Sequence, residues 1–219
     1  MKITTMTSLA IALGFAYISH ADVIAVYDAG GVADGSDAGP IEDLSTGGDN
    51  IGGITGSFSS SANADFATTV ANQGRWGNNE FDFSPGSTTV AAWTFSNLTP
   101  GSPWEVFVSW SKVSQGNLSS VAPYTVQGGS IISIDQRAGA QVAPDLTLND
   151  GTEDVPFVSL GSTTADGSGD LVVTLTGTSL GGSNWVIADA VAIRLIPEPS
   201  SMALLGLGGL ALMRRRQSE

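Results

Sequence analysis

The chain has no cysteine and only one histidine among its 219 residues. Cysteine-free, it forms no disulfide and offers no thiolate nucleophile. Basic residues are also scarce: eight Lys and Arg stand against 21 Asp and Glu, for a formal net charge of −13. Half of the basic residues sit at the extremes, Lys2 at the start and Arg214, Arg215 and Arg216 at the end. Between them lie only Arg75, Lys112, Arg137 and Arg194. The histidine, His20, and all four methionines also belong to the terminal segments. Residues 22–196 therefore hold no His, Cys or Met, with four basic and 19 acidic residues, a net −15. That composition excludes Ser-His-Asp and Cys-His nucleophile systems, both of which need a histidine base. It excludes zinc sites built from Cys and His. It also disfavours nucleic acid as a partner, because the surface repels phosphate.

What is present at the two ends has the form of an address. Residues 1–21 begin with Lys2, continue with a short apolar run from Leu9 to Ile18, and end in Ser19-His20-Ala21, a small-x-small cleavage site. This is the pattern of a secretory signal peptide, a helix removed on export, and its run is too short to span a bilayer. At the other end, Pro197-Glu198-Pro199 is followed by an uncharged stretch from Met202 to Met213, a hydrophobic helix, and then by the three arginines. Cationic residues on one flank keep that flank in the cytoplasm. The body is then outside, with the tail briefly held in the inner membrane, and a plain C-terminal anchor is the rival reading. The order of parts in 197–219 resembles the PEP-CTERM sorting signal of Gram-negative bacteria. That resemblance implies an exosortase-type sorting enzyme as partner, removal of the tail near Pro197, Glu198 and Pro199, and delivery to the cell envelope, cell surface or extracellular matrix.

The body, 22–196, is rich in Gly, Ser and Thr and shows no sustained helical period. Short alternating runs recur between Gly, Asn, Asp and Pro clusters, which predicts an all-β, single β-sandwich of jelly-roll-like form. Strands are expected at 22–27, 88–95, 104–110, 124–126, 130–135, 155–160, 171–176 and 185–195. In the third, Trp104, Val106, Val108 and Trp110 share one face and Glu105, Phe107 and Ser109 the other. The Gly-rich segment 28–61 is either a long surface loop or a strand pair. Asp189 shares a strand face with Trp185, Ile187, Val191 and Ile193, so its carboxylate needs hydrogen bonds or a cation. Acceptance of backbone N–H groups to brace a loop is the first expectation for it.

Five phrases occur in order: Leu98-Thr99-Pro100-Gly101 with Trp104-Glu105-Val106-Phe107-Val108-Ser109-Trp110; Ala122-Pro123-Tyr124-Thr125-Val126; Ile134-Asp135-Gln136-Arg137; Phe157-Val158-Ser159-Leu160-Gly161; and Val186-Ile187-Ala188-Asp189-Ala190-Val191. Together they resemble the golvesin C-terminal-like domain, also seen as the carbohydrate-binding domain attached to xanthan lyase, most strongly over 91–194. Departures are Trp104 where Tyr is usual, Phe157 where Trp is usual, and an insertion at 138–154. The resemblance implies a sandwich of the carbohydrate-binding type.

Two sets of residues are candidates for binding. Trp76 lies in a polar, Gly-rich stretch with Arg75 and Asn78, where an aromatic face and hydrogen-bonding side chains could meet a sugar ring; the other four tryptophans lie in apolar alternation and read as core. Asp28, Asp34 and Asp37 lie on a Gly-rich loop able to wrap a structural calcium, with solvated acidic loops as the alternative; no other cofactor is indicated. A pair of carboxylates would suffice for glycosidase chemistry, but no specific pair is marked. The expectation is a non-enzymatic exported protein that binds or organises extracellular polysaccharide. A ligand-free structural protein is the alternative, and a polysaccharide-acting enzyme the third reading.

Overall fold

The computed structural model describes residues 24–28, 42–43, 54–60, 65–68, 76, 79–83, 90–110, 118–138, 143–149, 154–177 and 184–196. Both terminal addresses, with the helices expected in them, lie outside these residues, as do Arg75, Asn78, Asp34 and Asp37. In chain order the strands are β1 (Ile24–Asp28), β2 (Glu42–Asp43), β3 (Thr55–Ser60), β4 (Asp65–Thr68), β5 (Asn79–Phe83), β6 (Val90–Ser96) and β7 (Pro103–Val108). They continue with β8 (Ala122–Val126), β9 (Ile132–Ile134), β10 (Leu146–Asn149), β11 (Asp154–Thr164), β12 (Leu171–Thr176), β13 (Val186–Ala188) and β14 (Ala190–Leu195). A short 3-10 helix, Gln136–Ala138, follows β9, and the described residues contain no α-helix.

Two large antiparallel sheets form the molecule. One has six strands in the order β10-β11-β7-β14-β1-β2, the other five in the order β3-β6-β12-β8-β9. A smaller sheet, β13-β5-β4, lies beside them. The five-stranded sheet follows the period-2 rule closely. Ala91, Trp93 and Phe95 of β6 and Leu171, Val173 and Leu175 of β12 are buried, while the residues between them are partly exposed. Burying one face against a second sheet is the stable solution for such strands. The shared core includes Trp93, Trp104, Trp110, Tyr124, Val106, Val108, Val191 and Ile193. Tyr27 and Phe95 meet edge to face across it, with ring centroids 6.3 Å apart.

The six-stranded sheet is covered on both faces. A second cluster, made of Ile24, Val26, Trp76, Phe107, Leu148, Val155, Phe157, Ala190 and Ala192, sits on the face turned away from the first core. Sheets covered on both sides need apolar residues at every position of their central strands. That is why β14 is an unbroken apolar run, Ala190-Val191-Ala192-Ile193, rather than an alternating one. A β-bulge between Ser159 and Gly161 kinks β11 where it passes β7.

The expected strand at 185–195 is two strands. The chain breaks at Asp189, with β13 pairing β5 in the small sheet and β14 pairing β7 and β1 in the large one. The segment 28–61 contains strands, but they do not pair with each other: β2 joins β1 and β3 joins β6. The insertion at 138–154 supplies β10, a hairpin partner of β11.

One end of the sandwich is closed by two interlocked turns. Leu98 N–H donates to the Gly169 carbonyl at 2.9 Å, Gly101 N–H to that of Ala165 at 3.0 Å, and Ala165 N–H to that of Ser102 at 3.0 Å. The Asp166 carboxylate accepts the N–H groups of Ser168 and Asp170 at 2.8 and 2.9 Å. Those bonds, chiefly the one from Asp170, hold its carboxyl below the usual aspartate value. Gly169 has φ +83°, and a Cβ there would strike the Leu98 carbonyl, whereas a Cβ on Gly167 meets nothing within 4 Å. Gly169→Ala should therefore destabilise the protein by about 1–3 kcal/mol, while Gly167→Ala should stay within about 0.5 kcal/mol of the parent. Thermal unfolding distinguishes them, and equal melting temperatures for the two variants would contradict the turn geometry.

Candidate functional site

The buried polar side chains gather near the break between β13 and β14. Gln136, fully buried, places its side-chain amide against β13 as a strand would place its backbone. Its Nε2 donates to the Ile187 carbonyl at 2.7 Å and its Oε1 accepts the Ile187 N–H at 2.9 Å. The same Nε2 reaches the Tyr124 hydroxyl at 3.3 Å. The Gln136 carbonyl accepts Trp110 Nε1–H at 2.8 Å, and the Gln136 N–H donates to the Ser119 carbonyl at 2.9 Å. Ser119 in turn donates its N–H to Trp185 at 2.8 Å and accepts that of Val121 on its hydroxyl at 2.9 Å. Burial pushes the Tyr124 hydroxyl well above its ordinary value; the Gln136 bond opposes this, and the Asp189 charge adds to it. A hydroxyl so held stays protonated and serves as a fixed donor and acceptor.

Asp189 is 1% exposed, at the point where the chain passes from one sheet to another. Its Oδ2 accepts the Trp76 backbone N–H at 3.3 Å. The carboxylate thus accepts a backbone N–H, as expected for a buried acid on an apolar strand. The Trp76 ring is itself 1% exposed and packs edge to face on Phe157, with centroids 5.8 Å apart. It is a core side chain, and no face of it is free to stack on a pyranose. Trp76 itself is packed against the outer face of the six-stranded sheet, and its polar neighbours Arg75 and Asn78 lie outside the described residues. Trp93, Trp104 and Trp110 are buried as expected, and Trp185 is partly buried against the same core. Of the calcium candidates, Asp28 is the last residue of β1, and Asp34 and Asp37 lie outside the described residues. Among the described residues no group of three or more His, Cys, Asp or Glu side chains comes together.

A different surface emerges on the outer face of the five-stranded sheet. The register sets Thr55 opposite Ser96, Ser57 opposite Thr94, and Thr94 opposite Val172. It also sets Ala92 opposite Thr174, and Thr174 opposite Thr125. Paired residues point to the same face. The face therefore carries the hydroxyls of Thr55, Ser57 and Ser59 on β3, Thr94 and Ser96 on β6, Thr174 and Thr176 on β12, Thr125 on β8 and Ser133 on β9. The hydroxyls of Thr125 and Thr174 are 2.6 Å apart. No charged residue stands on these outward positions of the five strands, although the body has a net −15. Rows about 4.8 Å apart with side chains every second residue make a regular array of donors and acceptors, interspersed with Val90, Ala92, Pro123 and Val172.

Both described arginines are engaged within the molecule. Arg194 Nη2 lies 2.6 Å from Glu105 Oε2, and its guanidinium lies 5.0 Å from the Phe107 ring centroid. Arg137 holds Asp135 at 2.7 Å on the surface, and that pairing pulls the Asp135 carboxyl below its ordinary value.

Comparison with known proteins adds one assignment. The PEP-CTERM protein-sorting motif matches residues 195–217, so its first residue is the last residue of β14. The chain is thereby an exported protein handled at the cell envelope and processed by an exosortase. No curated protein matches the chain. Among solved structures, the xanthan lyase of Paenibacillus is similar at 17% identity and a TM-score of 0.46, over 80% of this chain and 13% of the lyase. The chain thus spans only that small part of the enzyme's length.

Gln136→Ala removes both bonds to Ile187 and should cost about 2–4 kcal/mol, because two buried backbone groups lose their partner. Gln136→Glu keeps the shape but, when ionised, cannot donate to the Ile187 carbonyl. Burial raises the folded-state pKa of such a glutamate, so its proton-bound form stabilises at low pH and that stability is lost as pH rises. The stability deficit of Gln136→Glu relative to the parent should therefore shrink between neutral pH and pH about 4 in urea titrations. A pH-independent deficit would contradict the clamp.

Proposed function

We propose that the body is a non-enzymatic module of the cell surface or extracellular matrix that holds and organises polysaccharide through the outer face of the five-stranded sheet. The observation that carries this is the uncharged hydroxyl array on an otherwise acidic protein. Hydroxyls of Thr and Ser donate and accept, as sugar hydroxyls do. A face free of carboxylates presents a neutral polysaccharide with no charge to desolvate, and keeps repulsion of an anionic one weaker there than elsewhere on the body. The groups with unusual chemistry, Gln136, Tyr124, Asp189 and Trp76, are all turned inward, where they tie sheets and loops together. A cell-surface or matrix destination of the Gram-negative kind fits the sorting motif at 195–217.

The second reading, a structural matrix protein without a glycan ligand, draws on the burial of Trp76, Trp93, Trp104 and Trp110, which leaves those rings no stacking face. A glycan array probed with the exported protein separates the two. Thr94→Glu combined with Thr174→Glu should reduce polysaccharide retention in affinity electrophoresis by at least about tenfold, a loss of roughly 1.4 kcal/mol. Thr147→Glu, on an exposed position of β10, should leave it unchanged. Retention insensitive to the Thr94 and Thr174 changes would remove the sheet face as the contact surface. Release of reducing sugar from an exopolysaccharide would overturn the non-enzymatic assignment.

A further inference from the structure

The register of β1 and β14 places the two ends of the body side by side. Ile24, at the start of β1, is paired with Arg194, near the end of β14. Ile196 N–H, at the last described residue, still donates to the Pro103 carbonyl at 3.0 Å. Counting outward in sequence from the Ile24–Arg194 pair, Ala21 is three residues away on one side and Pro197 three residues away on the other. Further out the two sides stay close in length without matching: Met202, the start of the second apolar run, lies eight residues beyond Arg194, against six from Ile24 to Ile18, the end of the first. Six residues separate Ile196 from Met202. Six residues reach at most about 20 Å.

We propose that the unprocessed protein is held against the membrane by both ends of the chain at one end of the sandwich, so that signal cleavage and tail cleavage occur level with each other and release requires both. This rests on reading the two terminal segments as export signals. The end that faces the lipid is the one closed by the interlocked turns. There β6 passes into β7 through 97–102, β11 into β12 through 165–170, and β8 ends at Gln127. The opposite end, where β6 and β8 begin near Val90 and Val121, stands about 20 Å farther from the bilayer, the length of a six-residue strand. Among the described residues, the lipid-facing end offers no free cation to an anionic surface. Asp166 and Asp170 lie on it, and the nearest described cation, Arg194, is committed to Glu105. Surface attraction of about 1 kcal/mol per free Lys or Arg is therefore absent there among the described residues. Among the described residues, no free cation remains to retain the protein on lipid once the tethers are cut.

The absence of cysteine makes the test clean, since one introduced cysteine takes one label. Gly167→Cys marks the turn end, where a side chain meets nothing within 4 Å, and Val121→Cys marks the opposite end at a residue 45% exposed. Full-length unprocessed chain, labelled with a fluorophore, is reconstituted into phosphatidylethanolamine and phosphatidylglycerol vesicles containing a lipid with a nitroxide on its headgroup. The label at 167 should be quenched several-fold more than the label at 121. The same order should hold when either tether is disabled in the full chain, by Leu13→Arg in the first apolar run or Leu207→Arg in the second. Co-flotation with equal quenching, or a reversed order in either single-tether variant, would overturn the shared-end geometry while leaving the export signals intact. Failure of the parent chain to co-float with vesicles would overturn the export-signal reading and the proposal with it.

Discussion

β14 is hydrogen-bonded along both edges, to β7 through Val191–Leu195 and to β1 through Ala190–Arg194, and the rest of the sandwich is arranged around that position. Its residues serve two cores at once. Val191 and Ile193 enter the layer between the sheets, while Ala190 and Ala192 lie in the outer cluster with Trp76 and Phe107. The alternation of large and small side chains along one strand leaves room for the bulky aromatics on one face and supplies volume on the other. Because the last strand pairs with the first, the central sheet cannot close until nearly the whole body is present. Such non-local pairing makes for slow folding.

An exported chain without cysteine must hold its sheets together by packing and hydrogen bonds alone. Here that falls to buried tryptophans between the sheets, the Tyr27–Phe95 contact, and the Gln136 clamp on β13. The clamp is a side chain standing in for a strand. It pairs both backbone groups of Ile187, which would otherwise be expensive to bury. Asp189 performs a related task at the break in the chain, tying the Trp76 backbone to the sheet junction by accepting its N–H. The polar interior is thus structural, which shifts the search for function to the surface and to the chain ends.

The sequence was informative where one face was buried and the other was not. The alternation in 88–95, 104–110 and 171–176 showed both the strands and which side chains point inward, since a one-residue slip would expose the tryptophans. It was uninformative in three situations. At β14 both faces are covered, so Asp189 looked like part of a continuous face when it sits at a break between two strands. Strands such as Glu42–Asp43 and Thr55–Ser60 are short or built from Gly and Ser, and carry little apolar signal. At Trp76 the polar local sequence reported on its neighbours, while the ring's own burial came from Phe157, 81 residues away in the chain. The hydroxyl face was present in the sequence as the Thr and Ser partners of the alternating runs. Only the register between β3, β6, β12 and β8 assembled them into one surface.

Fold and sorting meet at Ile196, the last described residue, which lies inside the sorting motif of 195–217 and is still bonded into the sandwich. A cut on the body side of that residue would take a rung out of the central sheet; a cut beyond it leaves the sheet whole. The most direct measurement is the intact mass of the protein recovered from the cell surface. The account predicts a chain that begins at Asp22, retains Ile196, and lacks the three arginines. A surface protein that still carries Arg214, Arg215 and Arg216, or one that ends within β14, would contradict it.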